Sequence, residues 1–215
     1  MTIHAHALLF DNDGTLVSSL ASVDRCWARW AEEHGVTREF ARVELHGRPA
    51  VEIVADLLPA DVVPEALARI EALEVEDVPN GGVHLLPGTK ALLGALPADR
   101  WAVVTSATRR LAEARLDAVG ILPKTMITAD DITRGKPDPE PYLLAARELG
   151  VDPARCVVFE DAPAGLAAGR AAGMTTVALT TTHQAHELDA DLVVQDLSAL
   201  SVLVTDAGVE ISVRG

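Results

Sequence analysis

Short apolar runs of strand length recur along this chain with helix-like segments between them. The runs are Ala7–Phe10, Trp101–Thr105, Thr125–Thr128, Cys156–Phe159, Thr175–Leu179 and Leu192–Val194. The intervening segments, Arg109–Val119, Pro139–Leu149 and Ala164–Ala172, end at Gly120, Gly150 and Gly173, as helices with glycine C-caps do. Unbroken apolar strands alternating with helices predict β-α-β units on a parallel sheet, since only a sheet covered on both faces buries every residue of its strands. The fold class expected is therefore α/β.

One region breaks the alternation. No convincing strand is visible between about Ser18 and Leu85. Ser22–Gly35 carries apolar residues at helical spacing (Val23, Cys26, Trp27, Trp30, Ala31), and Ala50–Leu58 and Pro64–Val75 read as further helices. An all-helical block of this kind is expected to form a separate cap, residues 18–85, on a sheet domain made of residues 1–17 and 86–215. At the other end Val202–Thr205 and Val209–Val213 flank Asp206-Ala207-Gly208, which predicts a terminal β-hairpin.

Charge narrows the partners. The formal net charge is −14, and the only lysines are Lys90, Lys124 and Lys136. No basic patch is available for nucleic acid. No run of 18 apolar residues or basic-then-apolar leader is present, so a soluble, cytoplasmic chain outside the membrane is expected. Cys26 and Cys156 are expected as buried free thiols, and a monomer is the default.

Four clusters of reactive residue types stand at the predicted strand ends. Directly after Ala7–Phe10 come Asp11-Asn12-Asp13-Gly14-Thr15. In open α/β sheets this end of a strand faces the ligand crevice. Two carboxylates there are costly unless a cation accompanies them, which points to Mg²⁺ and phosphoryl chemistry. Asp11 is placed to attack phosphorus and Asp13 to exchange protons with the leaving oxygen and then with water. An Asx-turn would use the same residues. The second cluster, Thr105-Ser106, can hold a phosphate oxygen through the Thr105 hydroxyl and the Ser106 amide; taken alone, a helix N-cap explains it better. Third, Lys136 sits between Gly135 and Pro137 as a candidate phosphate anchor and counter-charge. Fourth, Glu160-Asp161 follows Cys156–Phe159: Asp161 fits a metal ligand, with Glu160 orienting Lys136 or a metal-bound water. A helix cap needs one acid and does not explain two.

With these motifs in this order, the chain resembles the haloacid dehalogenase-like hydrolase superfamily, in the branch with a helical cap inserted after the first motif. Trp101-Ala-Val-Val-Thr-Ser, Gly135-Lys-Pro-Asp-Pro-Glu-Pro-Tyr and Phe159-Glu-Asp-Ala-Pro-Ala-Gly are similar to its small sugar- and polyol-phosphate phosphatases. The resemblance implies a Rossmann-like core, a mobile cap and Mg²⁺. It implies Asp11 as nucleophile and metal ligand, Asp13 as acid/base that also offers its backbone carbonyl to the metal, Thr105 and Lys136 as phosphate binders, and Asp161 as metal ligand. Asn12 departs from the apolar residue usual there. Family side chains at that position point away from the phosphate, so little effect is expected.

Single residues separate the chemistries of the superfamily. Dehalogenases lack the second aspartate, whereas Asp13 is present. Phosphonatases need a cap lysine, and residues 18–85 contain none. A β-phosphoglucomutase-like phosphosugar mutase shares all four motifs; Thr15, usually β-branched and apolar in such mutases, favours hydrolysis. A module that binds a phosphorylated metabolite without turnover is the other alternative, and loss of Asp11 or Asp13 would have signalled it. For recognition of a small phosphorylated metabolite, His46-Gly47-Arg48-Pro49 is the polar cap segment best suited to reach inward. Arg48 either holds sugar hydroxyls or pairs with Glu52.

Overall fold

The computed structural model describes residues 2–43, 45 and 50–214. Strand β1 (Thr2–Ala5) leads through His6 into β2 (Ala7–Phe10), and a tight loop then carries the chain to β3 (Val17–Ser18). Helices α1 (Leu20–Glu33), α2 (Thr37–Phe40), α3 (Ala50–Leu57) and α4 (Val63–Asp77) follow before β4 (His84–Leu85). The rest alternates: α5 (Thr89–Gly94), β5 (Trp101–Val104), α6 (Arg109–Ala118), β6 (Met126–Ile127), α7 (Glu140–Leu149), β7 (Cys156–Glu160), α8 (Pro163–Ala171), β8 (Thr175–Leu179) and β9 (Leu192–Val194). Strands β10 (Leu200–Thr205) and β11 (Gly208–Val213) close the chain as the expected hairpin.

The main sheet has the order β6-β5-β2-β7-β8-β9, and every pairing in it is parallel. Strand order reverses at β2, which lies between β5 and β7 in the registers Phe10↔Val103 and Phe10↔Phe159. The carboxyl ends of these strands therefore open into one crevice, where α/β sheets bind ligands.

Both faces of the sheet are covered. Leu8 and Phe10 point into one core with Val103, Phe159 and Val177, where the rings of Phe10 and Phe159 stack 4.7 Å apart. Ala7 and Leu9 point into the other, against Tyr142, Ala145, Ala146 and Ala168 of α7 and α8. Small residues let these helices lie close: a side chain at Gly169 would begin 3.2 Å from the Cβ of Val158.

Helices α1–α4 keep an apolar cluster of their own, built around Trp27, Trp30, Ile53, Ile70 and Leu73. The indole of Trp30 donates to the Ala66 carbonyl at 2.8 Å, so its one polar atom is satisfied inside the cluster. Outside it, Glu33 accepts from both Nε and Nη2 of Arg69, clamping α1 to α4.

Two expectations need correction. The stretch from Ser18 to Leu85 is bounded by strand pairing: β3 and β4 form a two-stranded antiparallel ribbon, Val17↔Leu85 and Ser18↔His84. Two residues per strand are too few to show alternation. The terminal hairpin is also not alone, because β1 pairs with β11 and makes a three-stranded antiparallel sheet. Its buried residues Ile3, Val209 and Ile211 belong to the same core as Phe10. The half-buried alternation of β1 is hard to see because one residue separates it from the fully buried β2.

Candidate active site

Asp11 extends β2 by one residue, its amide donating to the Phe159 carbonyl at 3.0 Å. The carbonyl of Asn12 then accepts the amides of Thr15, Leu16 and Val17, and this wraps the backbone into a tight loop. Gly14 makes the loop possible. Its φ is +92°, and a Cβ there would lie 2.1 Å from Oδ2 of Asp161.

Lys136 joins three strand ends. Its Nζ donates to Oδ1 of Asp11 at 2.7 Å, to Oε1 of Glu160 at 2.6 Å and to the carbonyl of Val104 at 2.9 Å. An ammonium has three protons, and all three are used. The side chain is 7% exposed, yet burial does not neutralise it: the two carboxylates outweigh desolvation and raise its pKa.

The acids around it are short of positive charge. Asp11, Glu160 and Asp161 are buried, and each offers a carboxylate oxygen within 4.8 Å of the others. Burial drives the Asp11 carboxyl well above its ordinary range despite Lys136, with Glu160 and Asp161 adding to the rise. Burial, then Glu160, pushes Asp161 up to about 7, against the opposing effects of Thr182 and Lys136. Asp161 is also held by side chains: Thr15 donates to its Oδ1 at 3.4 Å and Thr182 to its Oδ2.

Asp13 stands apart from this cluster. Its Oδ1 accepts from Ser19 at 2.7 Å, and its Oδ2 is 3.0 Å from Nη1 of Arg115 and 3.2 Å from Nδ2 of Asn12. Asn12 is fully buried beside Asp13, and its Oδ1 finds no partner among the described residues. Thr105 is buried beside Val104, its hydroxyl accepting the Ala107 amide at 3.1 Å. The helix cap is another residue, Thr108, whose hydroxyl faces the Leu111 amide. Ser106 is exposed. Arg48, with His46, Gly47 and Pro49, lies outside the described residues.

Residues that the sequence reading passed over complete the site. The hydroxyl of Tyr142 donates to Oε1 of Glu160 at 2.7 Å. Arg115 is 5% exposed and shares the buried face of α6 with Leu111, Ala112 and Leu116. Its signal was a charge on an apolar helical stripe, which solvent does not explain. Gly165 is needed for a similar reason: a Cβ there would lie 1.8 Å from Oε1 of Glu160. Gly165→Ala should displace that carboxylate from Lys136 and Tyr142 and lower turnover by about 100-fold, the scale of an ångström-sized misplacement. Steady-state kinetics on folded protein checks this; wild-type rates would refute it.

The haloacid dehalogenase-like hydrolase model matches residues 5–173. The chain belongs to that family. Hexitol phosphatase A of Escherichia coli (strain K12) is 41% identical over 204 residues, spanning 90% of this chain and 92% of that protein. The 2-deoxyglucose-6-phosphate phosphatase 1 of Saccharomyces cerevisiae is 34% identical, covering 93% of this chain and 91% of its own. Among solved structures, a β-phosphoglucomutase from Clostridium difficile superposes with a TM-score of 0.74 over 90% of this chain and 92% of that one; at 23% identity this shows a shared fold. The buried acids of this haloacid dehalogenase-like hydrolase stand at the carboxyl ends of β2 and β7. Among the described residues, no helix is long and apolar enough to cross a membrane.

Proposed function

We propose that this hydrolase is a cytoplasmic, Mg²⁺-dependent phosphatase of small sugar or polyol monophosphates, working through a phosphorylated Asp11. The observation that carries the reading is the buried Asp11 carboxylate held at a strand end by Lys136, which also bridges Glu160. An unprotected nucleophile would be repelled by a phosphate dianion; here an ammonium sits on it.

The residues divide the work. Lys136, exchanging the Val104 carbonyl for substrate, the Thr105 hydroxyl and the Ser106 amide hold phosphate oxygens. A carboxylate oxygen of Asp11 attacks phosphorus, the bond from phosphorus to the ester oxygen breaks, and Asp13 gives that oxygen its proton. Water then attacks the phosphorus of the acyl phosphate, Asp13 takes the proton back, and Asp11 is regenerated. Glu160, steadied by Tyr142, keeps Lys136 in place. Residues 18–85 act as a cap over the core of 1–17 and 86–215, shutting out bulk water when closed and carrying specificity, with Arg48 the candidate contact to sugar hydroxyls. Thr15 supports hydrolysis over a mutase, since the resembling mutases usually carry a β-branched apolar residue there.

Three buried carboxylates with one ammonium fit a hard divalent cation, which prefers oxygen donors. Asp11 and Asp161 would hold it with the Asp13 carbonyl, Glu160 being engaged by Lys136 and Tyr142. Bound there, Mg²⁺ would screen the charge between phosphate and nucleophile.

Asp161 binds its proton more tightly folded, at about 7, than at its ordinary 3.8. The metal-free protein should therefore lose stability as pH rises through that window. Mg²⁺ at a hundredfold its dissociation constant should restore about 2.7 kcal/mol, or about 5–10 °C of melting temperature for a chain of this size. Thermal melts against pH, with and without Mg²⁺, measure both effects, and superimposable curves would contradict the cation site.

The deciding assay is phosphate release from a panel of phosphorylated sugars and polyols, including 2-deoxyglucose 6-phosphate, with Mg²⁺ and with a chelator. Glucose 1-phosphate isomerisation is followed in parallel. Metal-dependent release is the expected result; isomerisation without release would establish a mutase.

A further inference from the structure

Arg115 lies between the sheet core and the helical insertion with an acid on either side. Nη1 is 3.0 Å from Oδ2 of Asp13, and Nη2 is 3.5 Å from Oε1 of Glu74 on α4. One turn earlier on α4, Glu71 accepts a hydrogen bond from Thr108 at 2.9 Å, so the insertion is seated on the start of α6 as well as on Arg115. The Arg115 and Glu74 side chains are 6% and 12% exposed. Burial pushes the Glu74 carboxyl up to about 7 against the pull of Arg115. A guanidinium is a rigid planar fork, and its two ends cannot be re-aimed independently. A shift of α4 along α6 therefore changes how Arg115 holds Asp13.

We propose that Arg115 and Glu74 are positioning residues that make the placement of the Asp13 carboxylate depend on docking of the helical insertion. With α4 seated, Glu74 and Asp13 hold the guanidinium from its two ends, and Arg115 aims the Asp13 carboxylate at the ester oxygen of a bound substrate. With α4 lifted, Arg115 loses its second anchor, and the proton donor loses its aim. The inference rests on the reading of Asp13 as the acid/base of a phosphatase. It adds a reason why proton transfer would await cap closure.

The test compares leaving groups. A sugar alkoxide needs a proton to depart, whereas the phenolate of p-nitrophenyl phosphate leaves unaided. The quantity read is kcat/KM, which covers steps only as far as phosphoryl transfer to Asp11 and so omits the later attack of water. Glu74→Gln, nearly isosteric, and Arg115→Met are compared with wild type on 2-deoxyglucose 6-phosphate and on p-nitrophenyl phosphate, with Asp13→Asn as the reference for complete loss of the acid. Both variants should lose about 30-fold on the sugar phosphate, within the range a general acid supplies, and less than about 3-fold on the aryl ester. Equal losses on both substrates would make Arg115 a structural residue and overturn the inference, as would no loss. If Arg115→Met does not fold, Glu74→Gln decides alone. A wild-type enzyme that hydrolyses neither ester would defeat the phosphatase reading itself, whereas wild-type turnover with unselective variants defeats only the positioning role.

Discussion

Asp11→Asn is expected to abolish phosphate release while leaving a folded protein. The amide keeps the shape of the side chain but cannot form the acyl phosphate, so the loss should be on the order of 10⁴ or more, as when a nucleophile is removed elsewhere. Folding should survive because Lys136 retains Glu160 and the Val104 carbonyl as partners. The substitution also removes a carboxyl that burial already holds well above its ordinary range, so stability should be preserved or slightly increased. Phosphate release and a urea melt on the same preparation measure the two effects. Turnover by a folded Asp11→Asn protein would end the covalent mechanism.

Lys136→Met is expected to damage both stability and activity. Methionine is unbranched like lysine, one atom shorter and without charge, so Asp11 and Glu160 would face each other buried without the ammonium that now touches both. Breaking a buried ion pair from one side typically costs about 3–5 kcal/mol, because the remaining charge has no compensation. Asp11 would relieve the conflict by keeping its proton, and a protonated carboxyl is no nucleophile. Activity is thus lost through the nucleophile as well as through phosphate binding, by at least about 10². In Lys136→Met/Asp11→Asn the stability cost should fall below that of Lys136→Met alone, since one of the stranded charges is gone. Urea denaturation midpoints report this directly. A Lys136→Met protein with the wild-type midpoint would mean that the triad contributes nothing to folding.

Much of the architecture was readable because burial on both faces leaves a strong mark. All strands of the parallel sheet coincide with apolar runs, and Ala7–Phe10, Thr175–Leu179 and Leu192–Val194 coincide to the residue. The elements missed were those whose partners are distant. Strand β1 is defined by β11, about two hundred residues away, and β3 by β4 across the whole helical insertion. Neither carries a local pattern long enough to stand alone.

The candidate site divides in the same way. Asp11, Lys136, Glu160 and Asp161 were legible because each is a charge set against an apolar strand end or in a rigid turn, where no solvated face explains it. The structure brings all of them together, sets Thr105 alongside and leaves Ser106 exposed. Tyr142 and Arg115 were hidden because they occupy buried helical positions, where a sequence shows the stripe and not what the polar end of a residue meets. What Asn12 meets was hidden for the same reason. Its side chain is directed by the Asp13 carboxylate beside it, and Arg115 and Ser19 fix where that carboxylate lies.

By itself, then, the order of residues determined the layered α/β class, the helical insertion and which charged groups stand at strand ends, because hydrophobic periodicity and turn chemistry act over a few residues. Only the tertiary structure decided that one ammonium serves two acids from separate strands, and that the acid/base candidate is tied through an arginine to the insertion. Those pairings join residues 24 to 125 positions apart on the chain and Arg115 to both Asp13 and Glu74. They exist because buried charges must find partners wherever packing brings them within reach.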